Sequence, residues 1–402
     1  MCNFSKQWMI YLVTLGLLAS STLVMASNGN HFADKGEGRN ICKESAQLMK
    51  SSCRKEVNEE YYSTTAMCIN LGDADERKDC LKEARKTRKE DDELCGDQRQ
   101  ARRDACELLN EDRYDPEAFL TASDFEGDPG VNGARNPYFS LAPGHTYVSQ
   151  VTGGEDDDGN PIEETVIVTV TDQMRKLLVQ EDDLGNEIPG TGVNCRLVVD
   201  IVLVDGEPVE VTDDYYAQGI GDSVIGDVHY CGEVARNFED GNLVDLDGSF
   251  EAGRDLAKSG ILIKGAPVTG VAHRQEYLLG EAEDLIRYVA GAADPTFMGE
   301  GDDNATYPCD NAGEPRCVKT EEFIPQEPDA GEYKYYIADI GFVLGVALED
   351  GEVSGEREEV TCTGEADLSS PGSLTSVLDA CGVDADTQAQ LCKLSPNAFC
   401  DD

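Results

Sequence analysis

The central part of the chain alternates between apolar and polar positions with a period of two. The clearest runs are Thr165–Thr171, Cys195–Val204 and Glu210–Tyr216. Alternation of this kind, in runs rich in Val, Ile and Thr, predicts β-strands. Short turns such as Asp205-Gly206-Glu207 separate the runs, and turns of that length join antiparallel strands.

Residues 138–350 are predicted to form one sheet domain on this basis. About ten strands of this length provide enough residues to bury a sizeable core. Within the domain, the pattern of Leu279–Ala290 is helical rather than alternating, so we expect one helix there.

The segment before the sheet domain has few large apolar residues but six regularly placed cysteines. They are Cys42, Cys53, Cys68, Cys80, Cys95 and Cys106, spaced 11, 15, 12, 15 and 11 residues apart. Spacings of 11 and 15 residues keep the thiols near one stripe of a helix, so two antiparallel arms can be cross-linked at three levels. Gly72 can end the first arm, and Asp73 with Glu76 can cap the second. The sequence predicts a helical hairpin over residues 40–110 with the disulfides Cys42–Cys106, Cys53–Cys95 and Cys68–Cys80.

The first residues of the sequence have the pattern of a secretory signal. Lys6 precedes an apolar run from Trp8 to Val24, and Val24-Met25-Ala26 resembles a signal-peptidase site. We therefore expect residues 1–26 to be a cleaved signal peptide and the protein to be periplasmic or extracellular. Removal of Cys2 leaves 14 of the 15 cysteines, an even number that suits full pairing in an oxidising compartment. No later run is apolar for long enough to span a membrane.

Two further segments are set apart by composition. Residues 111–137 are rich in Asp, Gly, Pro and Asn and are predicted to be a linker. Residues 354–402 combine two short helical patterns with Cys362, Cys381, Cys392 and Cys400, which predicts a small cysteine-rich C-terminal segment. Proximity along the chain suggests the pairs Cys195–Cys231 and Cys309–Cys317.

The charge balance excludes two classes of partner. The chain has 80 acidic and 33 basic residues, a formal net charge of −47, and the predicted hairpin is close to balance. Because phosphate-neutralising charge is lacking, binding to nucleic acid or to an anionic membrane surface is strongly disfavoured. The acidity leaves two readings open, solubility in a salty or calcium-containing exterior and a dedicated cation-binding role.

One sequence segment at the start of the sheet domain resembles a segment found in a known group of proteins. Residues 136–148 read Asn-Pro-Tyr-Phe-Ser-Leu-Ala-Pro-Gly-His-Thr-Tyr-Val. This is similar to the phrase that opens the sheet domains of a group of uncharacterised exported bacterial proteins. The likeness continues through Asp214–Gln218, Gly248–Gly253, Arg274–Tyr277 and Glu332–Tyr336 and covers about half of the chain. It implies kinship and export but no reaction, and where that group has an aromatic residue this chain has Cys231, which supports an additional disulfide.

The long strands with one helix also resemble the open half-barrels of periplasmic lipid and lipoprotein carriers, as an analogy of fold alone. We therefore expect an α+β fold, in which a disulfide-laddered antiparallel helical hairpin is followed by a mainly antiparallel, half-barrel-like β-sheet domain.

Recognisable catalytic motifs are missing from the sequence. Its four histidines form no HExxH pair, and no GxSxG elbow or phosphate-binding loop occurs. His229 and His273 could meet across a sheet, but each lone histidine is better explained as a packed or surface residue. Hydrolysis by paired carboxylates stays open as an alternative, because acidic residues are abundant everywhere.

Calcium is the cofactor that the acidic turns suggest. Carboxylate and amide oxygens, the ligands that calcium prefers, cluster in two turns. The candidate ligands are Asp156, Asp158, Asn160, Asp302, Asp303 and Asn304. Neither turn has the ligand spacing of an EF-hand, so solvated turn charges are the simpler interpretation. A calcium-binding extracellular structural protein is one alternative function.

Aromatic residues beside a few charges suggest a ligand pocket on the sheet. If the sheet curves, they can line a concave face with polar anchors. The candidate residues are Tyr216, Tyr230, Arg274, Glu276, Tyr277 and Tyr336. Alternation places Arg274 and Glu276 on one face of their strand and Tyr277 on the other. An ordinary sheet core with tyrosine hydroxyls at its rim is the competing interpretation.

The function we expect is non-catalytic binding or interaction. The predicted partner is a small apolar or amphipathic molecule bound in the sheet pocket, or a protein. A carboxylate-dependent hydrolase is the alternative from another class.

Overall fold

The computed structural model describes residues 40–116, 121–131, 135–154, 160–178, 188, 191–289, 310–311, 314–315 and 317–400. These residues fall into two compact units. The described part of the first unit is residues 40–114, and the second begins at Asp115.

The first unit is a helical hairpin. Its helices are α1 (Ile41–Ile69) and α2 (Ala74–Leu108). The side chain of Asn40 accepts a hydrogen bond from the Lys43 amide at the start of α1, and Asp73 caps α2 in the same way. None of the described helices has the length and hydropathy of a membrane span.

Three disulfides cross-link the two helices. They are Cys42–Cys106, Cys53–Cys95 and Cys68–Cys80, with Cα–Cα distances of 5.9, 5.8 and 5.6 Å. These are the three pairs that the palindromic spacing predicts. Small residues such as Ala46 and Ala105 are buried beside them and allow the close approach of the axes.

The second unit is built around one large antiparallel sheet. Its strands are β1 (His145–Thr152), β2 (Glu164–Leu177), β3 (Val193–Val204), β4 (Glu207–Gln218), β5 (Val228–Glu239), β6 (Asn242–Asp245), β7 (Phe250–Glu251), β8 (Lys258–Ile263), β9 (Ala272–Arg274), β10 (Glu276–Tyr277), β11 (Leu285–Val289), β14 (Cys317–Phe323), β15 (Ala330–Ile337), β16 (Gly341–Glu349) and β17 (Glu352–Glu365). Two short strands, β12 (Asp310–Asn311) and β13 (Glu314–Pro315), form a separate pair. The order of the main sheet is β10-β8-β5-β4-β3-β2-β1-β17-β16-β15-β14-β11-β9, with β6 and β7 paired to β5. The predicted antiparallel sheet is thus confirmed, with more strands than the alternation indicates.

The sheet curves until its two ends nearly meet, so it is close to a barrel. Strands β9 and β10 stand at opposite ends of the strand order, yet only Gln275 separates them in sequence. A Cβ on Gly260 of β8 would lie 2.1 Å from the Gln275 carbonyl oxygen. Glycine at this position therefore permits the close approach of β8 to the segment that joins the two ends.

The helix predicted at Leu279–Ala290 is wrong. The described part of that segment forms a turn and then strand β11, which pairs with β9 on one side and β14 on the other. Backbone hydrogen bonds on both sides outweigh the local helical pattern, because strand and helix propensities are weak compared with tertiary pairing.

The boundaries of the sheet domain also differ from those expected. Strand β17 continues to Glu365, beyond the predicted limit at 350. Upstream, residues 121–131 were predicted as linker, but they include a 3-10 turn at Ala122–Asp124, and Phe125 is buried beside the sheet. The amide of Glu126 donates to the carbonyl of Gln218 at the end of β4.

The C-terminal residues cover the outer face of β1 to β4. Helices α3 (Ser373–Ala380), α4 (Ala385–Leu394) and α5 (Pro396–Phe399) follow β17. Leu378 and Leu391 pack in one buried cluster with Val199 and Ile201 of β3.

Disulfides cross-link the C-terminal helices and the strands of the sheet. Cys362–Cys381 ties α3 to β17, and Cys392–Cys400 closes the last turn. The suggested pair Cys195–Cys231 is present and joins β3 to β5 across β4. Cys317 is disulfide-bonded, whereas its suggested partner Cys309 lies outside the described residues.

Candidate binding site in the interior of the sheet

Side-chain alternation gives the sheet an inner face opposite the C-terminal helices. On β3, Val199 and Ile201 pack under those helices, so Asp200 points the other way. Four strands lie between β3 and β15 in the order, yet the positive charge of Lys334 on β15 acts on Asp200 and offsets part of the rise in its pKa. Both side chains therefore face the interior that the curved sheet encloses.

One part of this interior is an aromatic cluster. Tyr216, Tyr230 and Tyr336 lie in a single buried group with Phe250. The ring centroids of Tyr216 and Tyr230 are 4.6 Å apart, and those of Tyr230 and Phe250 are 5.2 Å apart. The structure places these three predicted pocket tyrosines in one cluster, but it buries them to 5 to 6% exposure.

Arg196 helps to close the interior beside this cluster. It is opposite Tyr216 in the β3–β4 ladder and is only 1% exposed. Its Nε and Nη2 donate to the carbonyl of Pro129, and the guanidinium also pairs with Asp128. This cation is therefore already satisfied by residues of the segment before the sheet.

The rest of the inner face carries an acidic belt. We use this name for Glu164, Asp200, Glu210, Asp214, Glu233, Glu276, Asp284, Glu322, Glu332 and Glu358. Several of them, including Asp200, Glu210 and Glu358, keep part of their surface accessible. These three residues are therefore not completely enclosed by the described protein.

Burial changes the ionisation of the belt. Loss of hydration raises the pKa of Glu164 from 4.5 to about 8, and repulsion from Glu356 and Glu358 adds to the effect. Burial likewise raises the pKa of Glu210 to about 7 and that of Glu332 to about 7. These carboxyl groups change charge near neutral pH rather than near pH 4.

Two belt carboxyls share one phenol. The hydroxyl of Tyr230 lies 2.5 Å from Asp214 Oδ1 and 2.5 Å from Glu233 Oε2. Asp214 and Glu233 are direct neighbours in the β4–β5 ladder. A phenol donates one proton, so the second carboxyl contact requires a proton on a carboxyl group. Burial raises both pKa values, that of Asp214 to about 7, and repulsion from Asp214 adds to the rise for Glu233.

Lys334 is the cation that pairs with the belt in the described part of the chain. Its Nζ lies 3.0 Å from Glu322 Oε2 and 3.4 Å from Glu332 Oε2. Burial opposes the charge of Lys334, but the two glutamates outweigh it and raise the pKa well above the ordinary value. The lysine is therefore charged, and its ammonium group is already paired with Glu322 and Glu332.

Asp200 has no such partner among the described residues. Its Oδ1 has no accessible surface and accepts no hydrogen bond from them, although the residue as a whole is only partly buried. Burial and repulsion from Asp214 and Glu210 raise its pKa well above 3.8. An orphaned carboxyl oxygen of this kind costs folding free energy unless another group satisfies it.

Strand β16 presents small residues to the interior. Gly345 and Ala347 stand opposite Lys334 and Glu332 in the β15–β16 ladder. A Cβ on Gly345 would lie 2.1 Å from Glu332 Oε1, so the glycine makes room for that carboxylate.

The three remaining predicted pocket residues are separated by the junction of the sheet. Glu276 belongs to the belt, whereas the guanidinium of Arg274 lies over the ring of Tyr277, 4.9 Å from its centroid. Simple alternation does not hold here, because β9 and β10 belong to two different ladders on either side of Gln275.

Most of the predicted calcium ligands lie outside the described residues. This applies to Asp156, Asp158, Asp302, Asp303 and Asn304, while Asn160 is described. Within the described ranges, no group of three His, Cys, Asp or Glu side chains is arranged to hold a metal ion.

The sequence contains a signal for the acidic belt in addition to the aromatic residues that suggested a pocket. Asp200 is the single charge inside the apolar run Leu197–Val204, and Glu210, Thr212 and Asp214 alternate with outward residues on the next strand. Acids at inward positions of long strands therefore pointed to an acidic interior.

Comparisons with known proteins give two structural likenesses. No family model and no curated protein matches the chain. A solved structure from Bacteroides fragilis, described as a "putative exported protein with YmcC-like fold", is 12% identical and covers 58% of this chain and 100% of its own, with a TM-score of 0.26. A "putative lipoprotein" from Parabacteroides distasonis is 12% identical and covers 57% of this chain and 99% of its own, with a TM-score of 0.27.

Proposed function

We propose that the protein is an exported, non-catalytic binding protein whose nearly closed sheet holds an amphipathic ligand in its interior. The signal-like first residues and the disulfides support export. The interior offers an apolar part, the aromatic cluster, next to a polar part, the acidic belt.

The observation that carries the proposal is the belt itself. A sheet interior that served only as a core would be filled by apolar residues, because buried carboxyl groups lower the stability of the fold. Here ten carboxyl groups share one inner face, and several keep accessible surface. Such departures from an apolar core are typical of functional sites.

Native mass spectrometry of protein purified from its own host tests this proposal directly. We expect a mass adduct that is lost on unfolding. Protein stripped of the adduct should bind a neutral lipophilic dye with increased fluorescence, and ligand extracted from the host should displace the dye.

A pair of valine variants locates the site. Val202 is on the inner face of β3 and packs against the aromatic cluster, whereas Val353 on β17 is 62% exposed. Val202→Phe should weaken dye binding by tenfold or more, and Val353→Phe should leave it unchanged, with circular dichroism confirming that both fold. The proposal fails if the host protein carries no adduct and the dye does not bind, or binds equally to both variants. Turnover of an ester or glycoside panel would instead favour the hydrolase alternative.

A further inference from the structure

Within the described part of the chain, Asp200 is a member of the acidic belt with a buried carboxyl oxygen to which no group donates. The residue is in the middle of β3, with Val168 and Thr212 beside it in the two flanking ladders. The buried oxygen is Oδ1, and none of the described residues donates a hydrogen bond to it. A ligand group that donates to the Asp200 carboxyl group would supply the missing hydrogen bond.

The charged and titratable groups that act on Asp200 are nearly all acidic. They are Asp214, Glu210, Glu358, Lys334 and, through its hydroxyl, Tyr147. The one cation among them, Lys334, is already held by Glu322 and Glu332. Glu358, Asp214 and Glu210 accept hydrogen bonds from Ser149, Tyr230 and Thr212, whereas no described residue donates to Asp200 Oδ1.

Building on the proposed function, we infer that the polar end of the amphipathic ligand is an ammonium group that donates to Asp200. A compact ammonium brings three donors and a positive charge into a space lined by carboxyl oxygens. An anionic head group would face repulsion from the same carboxylates, and a neutral hydroxyl would gain a hydrogen bond without the charge term.

Binding of an ammonium group should release protons from the acidic belt. Burial and repulsion from Asp214 and Glu210 raise the pKa of Asp200, and a bound cation favours the ionised form of its carboxyl group. Ammonium affinity should therefore rise as pH increases from 5 to 8, because fewer protons must be displaced. Affinity for a neutral head group should change little over that range.

The experiment compares three probes with the same alkyl chain, dodecylammonium, dodecanol and dodecanoate, each below its micelle concentration. Dye displacement and calorimetry at pH 7.5 should give dodecylammonium at least tenfold tighter than dodecanol, with dodecanoate weakest. Calorimetry in two buffers of different ionisation enthalpy should show protons released only with dodecylammonium.

Asp200→Asn should remove the preference for dodecylammonium while leaving dodecanol affinity within about twofold. Asp240→Asn, at an exposed turn, is the matched control and should behave as wild type. If none of the probes nor the dye binds, the proposed function itself is wrong. If dodecanol binds but dodecylammonium is no tighter, or Asp200→Asn keeps the preference, only the ammonium inference is overturned.

Discussion

Glu164 allows the energetic effect of the belt to be measured without any ligand. The residue begins β2 on the inner face, opposite Val151 and Val204, and is 4% exposed. Its pKa is about 8 in the folded protein against an ordinary 4.5. Between these values the folded state keeps a proton that the unfolded state has lost, so the free energy of unfolding falls as pH rises.

The size of the effect follows from the difference in pKa. One unit corresponds to about 1.4 kcal/mol, so a rise from 4.5 to about 8 sets an upper limit of roughly 4 to 5 kcal/mol. Water entry and relaxation reduce the measurable value to roughly 2 to 4 kcal/mol. Glu164→Gln cannot ionise, so its stability relative to wild type should increase by that amount between pH 5 and pH 9.

Urea unfolding of both proteins at these two pH values, with disulfides intact, measures the difference. Glu352→Gln, an exposed change on β17, is the control and should follow the wild-type profile. Parallel profiles for wild type and Glu164→Gln would refute the reasoning, since they would mean that Glu164 titrates in the folded protein as it does in water.

Three further predictions concern structure. Gly260→Ala should lower the free energy of unfolding by about 1 to 3 kcal/mol, because the new Cβ would meet backbone atoms of the sheet junction. Gly355→Ala places a Cβ in open space and should change the free energy of unfolding little, so equal effects of the two variants in urea unfolding would contradict the close approach. Tyr230→Phe should cost about 1 to 3 kcal/mol at pH 7 by removing the donor between two carboxyls, and a neutral result would show that the phenol is not needed there. Replacing both Cys53 and Cys95 by Ser should lower hairpin stability by about 2 to 4 kcal/mol in far-UV circular dichroism melts, and non-reduced peptide mapping of the wild type should recover their pairing.

The hairpin could be predicted from sequence because its information is local and redundant. Six cysteine positions, a turn glycine and the cap at Asp73 all specify the same register. The turn at Asp205-Gly206 could also be predicted, because Asp-Gly is favoured in tight turns between antiparallel strands. In the structure the two residues have the positive φ angles that such a turn requires, 50° and 81°.

The closure of the sheet and the contents of its interior could not be read so directly. Alternation assigns residues to two faces, but on β3 both faces are largely apolar, so the sequence did not say which one turns inward. The pairing of β9 and β10 with strands at opposite ends of the sheet depends on a bend at Gln275 that no local pattern marks. Tyr216, Tyr230 and Tyr336, predicted as pocket residues, belong to one buried cluster, and that burial is a property of the assembled core.

The position of β1 has a consequence for how the sheet domain forms. This strand pairs with β2 on one side and with β17 on the other, and His145 stands opposite Glu365. The two residues are 220 positions apart, so this ladder closes a very long loop before it gains any hydrogen bond. Sheets dominated by such distant pairings have high contact order and fold slowly. We therefore expect the domain to complete its ladder only after the last strand is available, and until then β1 and β16 expose unpaired edges that favour association with other chains.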